Sequence, residues 1–254
     1  MLTAAARLID ARRPFALATL IFVRGSAPRH AGTRMLVLAD EFIGTIGGGP
    51  LEALVLREGR AALGDGKLRR SIYSLAPGGE NPTGLHCGGQ VEVLVEPLMP
   101  RPKLIIFGGG HIGQALATMA LALDFVVEGV EDRPEFLGQF PAGVVHVAAS
   151  GWEDENWTPP AMDGATYCLI ATRCHATDLA VLKKILPLKP AYLGMIGSKT
   201  KRKHMEKALL QSGMKFKPEE FISPAGLAIS AETPAEIAVS VLAQIVASLR
   251  GGPG

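Results

Sequence analysis

The sequence has little net charge, few cysteines and no long apolar run. Its 26 Lys and Arg residues nearly balance 24 Asp and Glu residues, leaving a formal net charge of +2. This balance excludes the polyelectrolyte character of generic nucleic-acid or membrane-surface binding, so we expect neither partner. Three scattered cysteines make no disulfide framework and indicate a reducing compartment, so we expect a cytoplasmic protein. No segment reaches the ~18 apolar residues that a membrane span needs.

The stretch "RRPFALATLIFVRG" resembles a short signal peptide with a twin-arginine start. Arg24 ends the apolar run before any small-residue cleavage site, and the run is rich in β-branched and aromatic residues. We therefore predict a buried strand there.

The two halves of the chain differ in pattern. Residues 14–98 give short strand-like runs between glycine-rich turns, with one helical pattern that opens at Pro50, which is typical of an α+β domain. The stretch "PLMPRPK" then places three prolines in seven residues, which indicates a stiff linker. We predict an α+β domain over residues 1–98, a linker over 99–103 and a second domain over 104–254.

Strands and helices alternate from Lys103 onward, which predicts βαβ crossovers and a parallel sheet covered on both faces. The predicted fold class is α/β: a C-terminal Rossmann-type parallel sheet preceded by a smaller α+β domain. The last helix is predicted to have Thr233 as its cap, Pro234 at its first position and Glu236 closing a capping box. Its apolar pattern is compatible with a homodimer and equally with a core helix.

The stretch "FGGGHIGQA" follows one predicted strand and opens a helix. Gly108, Gly110 and Gly113 fit a tight turn, close approach of the backbone to a pyrophosphate, and close helix–sheet packing. We include His111, the first residue of that helix, among the candidate cofactor-binding residues. Glycines that serve only a turn are the alternative.

An acidic pair ends the next predicted strand, about twenty residues further on, as dinucleotide-binding folds require. We expect Glu131 to bind a ribose-like hydroxyl, and we include Asp132 in the same candidate site. Arg133 is an alternative contact for a phosphate.

Two later loops should reach the same crevice, because ligands of open α/β sheets bind beyond the carboxyl ends of the strands. In the first loop, His175 fits a general acid or base, a ligand-binding group or a satisfied polar residue, and Asp178 belongs to the same candidate set. Cys174 beside it would favour its thiolate form if exposed, whereas Cys168 is predicted to be core.

The second loop begins a helix at Ser198 and carries four cations, which the helix dipole disfavours. We expect an anion to compensate them, and Ser198 and Lys199 are candidate ligand contacts; a solvated basic face is the alternative. The four cations are Lys199, Lys201, Arg202 and Lys203.

The first half offers a second glycine run. Gly47, Gly48 and Gly49 precede the helix at Pro50 and would make a nest of backbone amides. Further along, Cys87 lies in a glycine-rich turn, and no second Cys or His lies at zinc-chelating spacing.

Six motifs in order resemble the XdhC/CoxI family of molybdenum-hydroxylase maturation factors, over nearly the whole chain. They are "GSAPRHAGTRMLV", "GTIGGGPLE", "CGGQVEVLVEPL", "FGGGHIG", "YLGMIGSKTKR" and "ISPAGLAISAETPAEIAVSVLAQIVA". The resemblance implies a chaperone that binds the molybdenum cofactor, as molybdopterin or its dinucleotide, and assists its sulfuration with a cysteine desulfurase. It also implies delivery to an apo molybdenum hydroxylase of the xanthine dehydrogenase or aldehyde oxidoreductase type.

Carried over by matching position, the family motifs add residues of the first half to the candidate site. Arg29, Gly47 to Gly49 and Glu52 are implied cofactor contacts, and Cys87 is an implied metal ligand and reactive residue. His175 and Asp178 are the implied reactive residues of the second half. An NAD(P)-dependent oxidoreductase that uses His175 is the alternative function, and a docking protein with no small ligand is a third.

Overall fold

The computed structural model describes residues 1–76 and 88–251, and the chain divides into two compact units, Met1–Pro100 and Arg101–Gly254. The division falls inside the proline-rich stretch at 99–103. Among the described residues, no helix is long and apolar enough to span a lipid bilayer.

The described residues of the first unit form an antiparallel sheet with two helices. The described strands run in the order β3-β2-β1-β5-β4. The predicted strand near the N-terminus is β1; its first half is buried as expected, whereas Ile21 and Phe22 are exposed. The elements are α1 (Leu2–Asp10), β1 (Phe15–Arg24), β2 (Arg34–Val37), β3 (Phe42–Gly44), α2 (Gly49–Asp65), β4 (Arg69–Ser74) and β5 (Gln90–Leu98).

Two separate clusters of apolar side chains hold this unit together. Helix α2 packs Leu51 and Val55 against alternate residues of β1, β2 and β5, which gives the larger cluster. Helix α1 packs Leu8 against Phe15 and Leu36 in the smaller one. No element is predicted from the sequence before residue 14, and the 9-residue helix α1 occupies that stretch.

The second unit is a parallel sheet in the order β10-β9-β6-β7-β8. The predicted α/β fold class, with a C-terminal Rossmann-type sheet after a smaller α+β domain, is confirmed. The elements are β6 (Lys103–Phe107), α3 (His111–Ala122), β7 (Val126–Glu131), α4 (Pro134–Leu137), β8 (Val145–Ala148), β9 (Thr166–Ile170), α5 (His175–Ile185), β10 (Tyr192–Met195), α6 (Lys199–Gln211) and α7 (Pro234–Leu249).

Apolar residues alternate along the central strand β6 and supply both faces of the sheet. Ile105 and Phe107 pack with α5 and α6, whereas Leu104 and Ile106 pack with α3 and α7. Because both faces are covered, the strand is apolar at nearly every position, as parallel strands usually are. Cys168 in β9 is fully buried, as predicted.

Helix α7 is anchored at its start and along one side. Thr233 accepts a hydrogen bond from the Glu236 amide, and the Glu236 carboxylate accepts one from the Thr233 amide, so the predicted capping box is confirmed. Val241 and Ile245 are buried against the sheet, and Val239 on another side is 48% exposed. The helix is therefore a core element, and the homodimer stays a prediction.

Candidate functional site

Four strands of the second unit end at the same level. Residue Phe107 of β6 is in register with Val130 of β7 on one side and Ile170 of β9 on the other. Ile170 is in turn in register with Met195 of β10. The loops that follow these strands therefore begin side by side. The switch in strand order falls between β6 and β9, which is where ligands bind in such sheets.

In the G-x-G-x-x-G pattern after β6, the protein itself requires the first and the third glycine. A Cβ added at Gly108, where φ is +119°, would lie 2.2 Å from the carbonyl oxygen of Ala171. One added at Gly113 would lie 2.1 Å from the carbonyl oxygen of Gly108. Side chains at these positions would collide with backbone, so packing alone accounts for both glycines.

Gly110 differs from the other two, since an added Cβ there would meet no atom within 4 Å. Its φ of −71° and ψ of −178° suit any residue, so neither packing nor backbone conformation demands a glycine. It precedes α3 directly, and His111 at the helix start is exposed. The turn thus presents uncovered backbone at a helix N-terminus, where amides and the helix dipole favour an anion.

Glu131 at the end of β7 supports this turn from within the protein. Its carboxylate accepts hydrogen bonds from the Gly109 amide at 2.8 Å, the Asp132 amide at 3.1 Å and the Arg133 Nε at 3.0 Å. The side chain is 1% exposed. A contact between Glu131 and a ribose hydroxyl stays a prediction, and these contacts would have to open for it to form.

Asp132 and Arg173 join the loops on the two sides of β6. The Arg173 Nη1 donates to the Asp132 carboxylate at 2.5 Å. Burial raises the pKa of Asp132, but the hydrogen bonds with Arg173 and Glu131 and the charges of Arg173 and Arg133 together outweigh it, so the pKa lies below the ordinary value. Arg173 was not among the candidate site residues, because its partner lies 41 residues away in the sequence.

Asp178 ties the β9–α5 loop to the β10–α6 loop. The carboxylate accepts hydrogen bonds from the Thr172 amide at 3.0 Å and the Thr172 hydroxyl at 2.7 Å, and it pairs with the ammonium of Lys201. That ammonium also donates to the carbonyl oxygen of Ile196 at 2.6 Å. Asp178 is 1% exposed, so its contacts in this structure position two loops. Its reactive role stays a prediction.

These contacts change the interpretation of the cationic helix start at α6. Lys201 is compensated by Asp178, and Arg202 pairs with Glu206 at 2.8 Å, so protein carboxylates neutralise two of the four cations. Ser198 caps the helix by accepting from the Lys201 amide at 3.1 Å. Within the described parts of the chain, Lys199 has no ion pair or hydrogen bond. An anionic ligand is therefore needed to compensate at most the other two cations, Lys199 and Lys203.

Cys174 and His175 are exposed at the start of α5. The hydroxyl and the amide of Thr177 lower the pKa of the Cys174 thiol, and Arg173 adds to the effect. The predicted preference for the thiolate therefore matches its surroundings. No hydrogen bond to another described residue orients the His175 ring, and its role as an acid, a base or a ligand contact stays a prediction.

The three glycines of the run in the first unit differ in the space that surrounds their Cα atoms. An added Cβ at Gly47 would lie 2.7 Å from the Pro28 side chain, whereas at Gly48 and Gly49 it would meet nothing within 4 Å. All three glycines have positive φ. The Glu52 carboxylate accepts from the Thr45 hydroxyl and from the Gly48 amide, which holds the run in place.

The remaining candidates of this unit lie on neighbouring loops. Arg29 is exposed, and its side chain approaches Gly47: a Cβ added there would lie 3.7 Å from the Arg29 Cγ. Cys87 lies outside the described residues, so its implied roles as metal ligand and reactive thiol stay predictions. The described residues contain no group of three His, Cys, Asp or Glu side chains that could hold a metal ion.

The two units define a class of protein in which a smaller α+β unit precedes a Rossmann unit with an open glycine turn. Residues 104–245 match the XdhC Rossmann domain, and residues 8–74 match the XdhC and CoxI family. The chain belongs to the XdhC/CoxI family, and the resemblance seen in its six motifs is confirmed.

Relatives agree with this assignment. The chain is 35% identical over 263 aligned positions to YqeB of Escherichia coli K12, described as an uncharacterized protein, with 99% of the chain and 47% of the relative covered. It is 29% identical over 163 positions to a protein of Bacillus subtilis 168 described as a probable subunit of xanthine dehydrogenase, with 63% of the chain and 47% of the relative covered. The chain thus spans about half the length of these curated relatives.

A solved structure shares the fold. The crystal structure of a xanthine dehydrogenase from Bacillus halodurans aligns with a TM-score of 0.52, covering 98% of this chain and 96% of the other. The sequence identity is 21%, so the likeness supports the fold alone.

The buried pair of Asp178 and Lys201 leads to a stability prediction. We expect Lys201→Met to lower the free energy of unfolding of the second unit by about 3 kcal/mol, because it leaves a buried carboxylate uncompensated. Urea unfolding followed by tryptophan fluorescence measures this unit, since both tryptophans, Trp152 and Trp157, lie in it. The exposed Lys203→Met is the control, expected to change it by less than about 0.5 kcal/mol. Equal unfolding midpoints for the two variants would contradict the structural role of the pair.

The surroundings of Cys174 lead to a reactivity prediction. In a Cys87→Ser background, we expect iodoacetamide to modify Cys174 and spare the buried Cys168 until the protein unfolds, which peptide mass spectrometry detects. Thr177→Val removes the hydroxyl that lowers the pKa, so alkylation at pH 7 should slow several-fold and the difference should vanish at high pH. Thr177→Ser keeps the hydroxyl and should retain the wild-type rate. A rate that Thr177→Val leaves unchanged at pH 7 would refute the proposed cause.

Proposed function

We propose that this protein is a maturation factor for a molybdenum hydroxylase of the xanthine dehydrogenase or aldehyde oxidoreductase type. The molybdenum cofactor is its cargo, bound as molybdopterin or as the dinucleotide. The protein assists sulfuration of the cargo together with a cysteine desulfurase and delivers it to the apo hydroxylase. Family membership and the name of the Bacillus subtilis relative support this class of function.

The observation that carries the proposal is the uncovered backbone at Gly110. The other two glycines of the motif are explained by contacts inside the protein, but Gly110 faces open space at the start of a helix of 12 residues. A phosphate is the group that such a position favours, because the amides and the positive end of the helix dipole stabilise a compact anion. The cargo carries a phosphate, or a pyrophosphate in its dinucleotide form, so it has the group that the turn suits.

Neighbouring charges fit the same ligand. Arg173 reaches Asp132 from the adjacent loop and is 42% exposed on its side chain, so it can also contact an anion at the turn. Glu131, the nearest buried carboxylate, is neutralised by Arg133 and by three backbone amides. A phosphate at Gly110 would therefore meet hydrogen-bond donors and a partly exposed cation shared with Asp132, and its repulsion from Glu131 would be small.

In the first unit, Gly48 and Gly49 have open space beside their backbone, and the Gly48 amide donates to Glu52. Their proposed role is a further contact to the cargo, with Arg29 as a nearby cation. Cys87 is proposed to ligate the molybdenum or to handle sulfur, as the family resemblance implies.

The decisive variant is Gly110→Asp. Aspartate fits the backbone conformation of Gly110 and is a favourable helix N-cap, so folding should be preserved. Its carboxylate would repel a phosphate, and we expect cofactor affinity to fall at least tenfold. The measurement is the amount of molybdopterin that co-purifies with the full chain, quantified as its fluorescent oxidised pterin, together with activation of an apo hydroxylase.

A matched control is Gly164→Asp, the same substitution at an exposed glycine of the same unit, which precedes β9 at the opposite edge of the sheet. It should bind cofactor as wild type does. A Gly110→Asp variant that binds no cofactor but still activates the hydroxylase would favour a docking protein instead. Tight binding and turnover of NADPH by the wild-type chain would favour the oxidoreductase alternative.

A further inference from the structure

A cleft of about 410 Å³ lies at the carboxyl end of β10 in the second unit. One wall comes from the loop after β10, with Ile196, Gly197 and Lys199. The other comes from residues 224–231, and Ile237 and Ser240 of α7 complete the lining. This volume lies within the range of small-molecule sites. None of these residues except Lys199 belongs to the candidate site deduced from the sequence.

Residues 225–227 of the second wall are anchored to β10 and α7 by hydrogen bonds. The Gly226 amide donates to the Gln244 side chain at 2.8 Å, and the Ala225 amide donates to the carbonyl oxygen of Met195 at 3.1 Å. The Leu227 amide donates to the carbonyl oxygen of Ser240 at 3.1 Å, and the Ser240 hydroxyl donates to the carbonyl oxygen of Leu227 at 2.7 Å. The cleft is therefore preformed, which lowers the cost of ordering it when a ligand binds.

The lining favours a largely apolar molecule with one negative or strongly polar group. Ile196, Leu227, Ile229 and Ile237 supply apolar surface on both sides of the cleft. Lys199 is the cation in the lining, and in the described parts of the chain its ammonium has no partner. Apolar walls with a single charged group that sets orientation are typical of sites that bind an organic ring.

The cleft lies close to the glycine turn and on the same face of the sheet. Strands β10 and β6 are separated by β9 alone, and their ends are in register, so the two features lie about two strand spacings, roughly 10 Å, apart. Both lie on the same face of the sheet, because Ile196, Ala225 and Ile237 pack in the same apolar cluster as α3. One phosphorylated ring compound can therefore reach both features.

We propose that this cleft binds the planar heterocyclic end of the ligand whose phosphate lies at Gly110. The inference rests on the proposed function, which supplies a phosphorylated pterin as the ligand. The ring lies between the isoleucine side chains and residues 224–231. The Lys199 ammonium donates to a carbonyl oxygen or an anionic substituent of the ring.

The test fills the cleft without disturbing the core. Ala228 lines the cleft and is exposed, so Ala228→Trp should fold normally and place an indole where the ring would lie. Ala235→Trp is the control, since Ala235 is exposed in the first turn of α7 and does not line the cleft. The full chain is titrated with molybdopterin and, separately, with inorganic pyrophosphate, which has no ring.

We expect Ala228→Trp to weaken molybdopterin binding at least tenfold and to leave pyrophosphate binding unchanged, with Ala235→Trp within twofold of wild type for both. Lys199→Gln should weaken molybdopterin several-fold. Wild-type affinity of Ala228→Trp for molybdopterin would overturn the cleft assignment and leave the proposed function standing. Failure of the wild-type chain to bind molybdopterin at all would overturn both. If Ala228→Trp weakens NADPH binding but not pterin binding, the ring that the cleft selects is a nicotinamide, which contradicts the proposal.

Discussion

The common level at which β6, β7, β9 and β10 end is the constraint on which the second unit depends. Parallel pairing fixes it, since each strand pair holds Phe107, Val130, Ile170 and Met195 in register. The four loops that follow these strands therefore begin side by side, and residues far apart in sequence become neighbours. The glycine turn, the pair of Asp132 and Arg173, and the cleft beyond β10 all follow from this arrangement.

Carboxylates near the site mainly accept hydrogen bonds from the loops and hold them in place. Glu131 binds the amide of the glycine turn, Asp178 binds the next loop and Lys201, and Glu52 binds the glycine run of the first unit. Each one satisfies backbone amides that would otherwise lack partners at the end of a strand or the start of a helix. In this arrangement the acids shape the loops, and uncovered backbone and cations remain for a ligand.

Local patterns could be predicted from the sequence, and long-range partnerships could not. The glycine turn after β6, the capping box of α7 and the parallel sheet depend on residues a few positions apart, which periodicity and cap rules capture. The compensation of Lys201 by Asp178 depends on a partner 23 residues earlier, so the cationic run suggested an external anion. The cleft depends on residues 196–199 and 224–231 meeting, and no local pattern indicates that contact.

Amide NMR measures whether main-chain amides at the glycine turn bind a phosphate. The full chain is labelled with [15N]glycine and titrated with inorganic pyrophosphate, and the Gly110 signal is assigned from its loss in Gly110→Ala. We expect the Gly110 amide signal to shift in a saturable way while the signal of Gly164, at the other edge of the sheet, stays fixed. An unmoved Gly110 signal at saturating pyrophosphate would contradict phosphate binding at the turn.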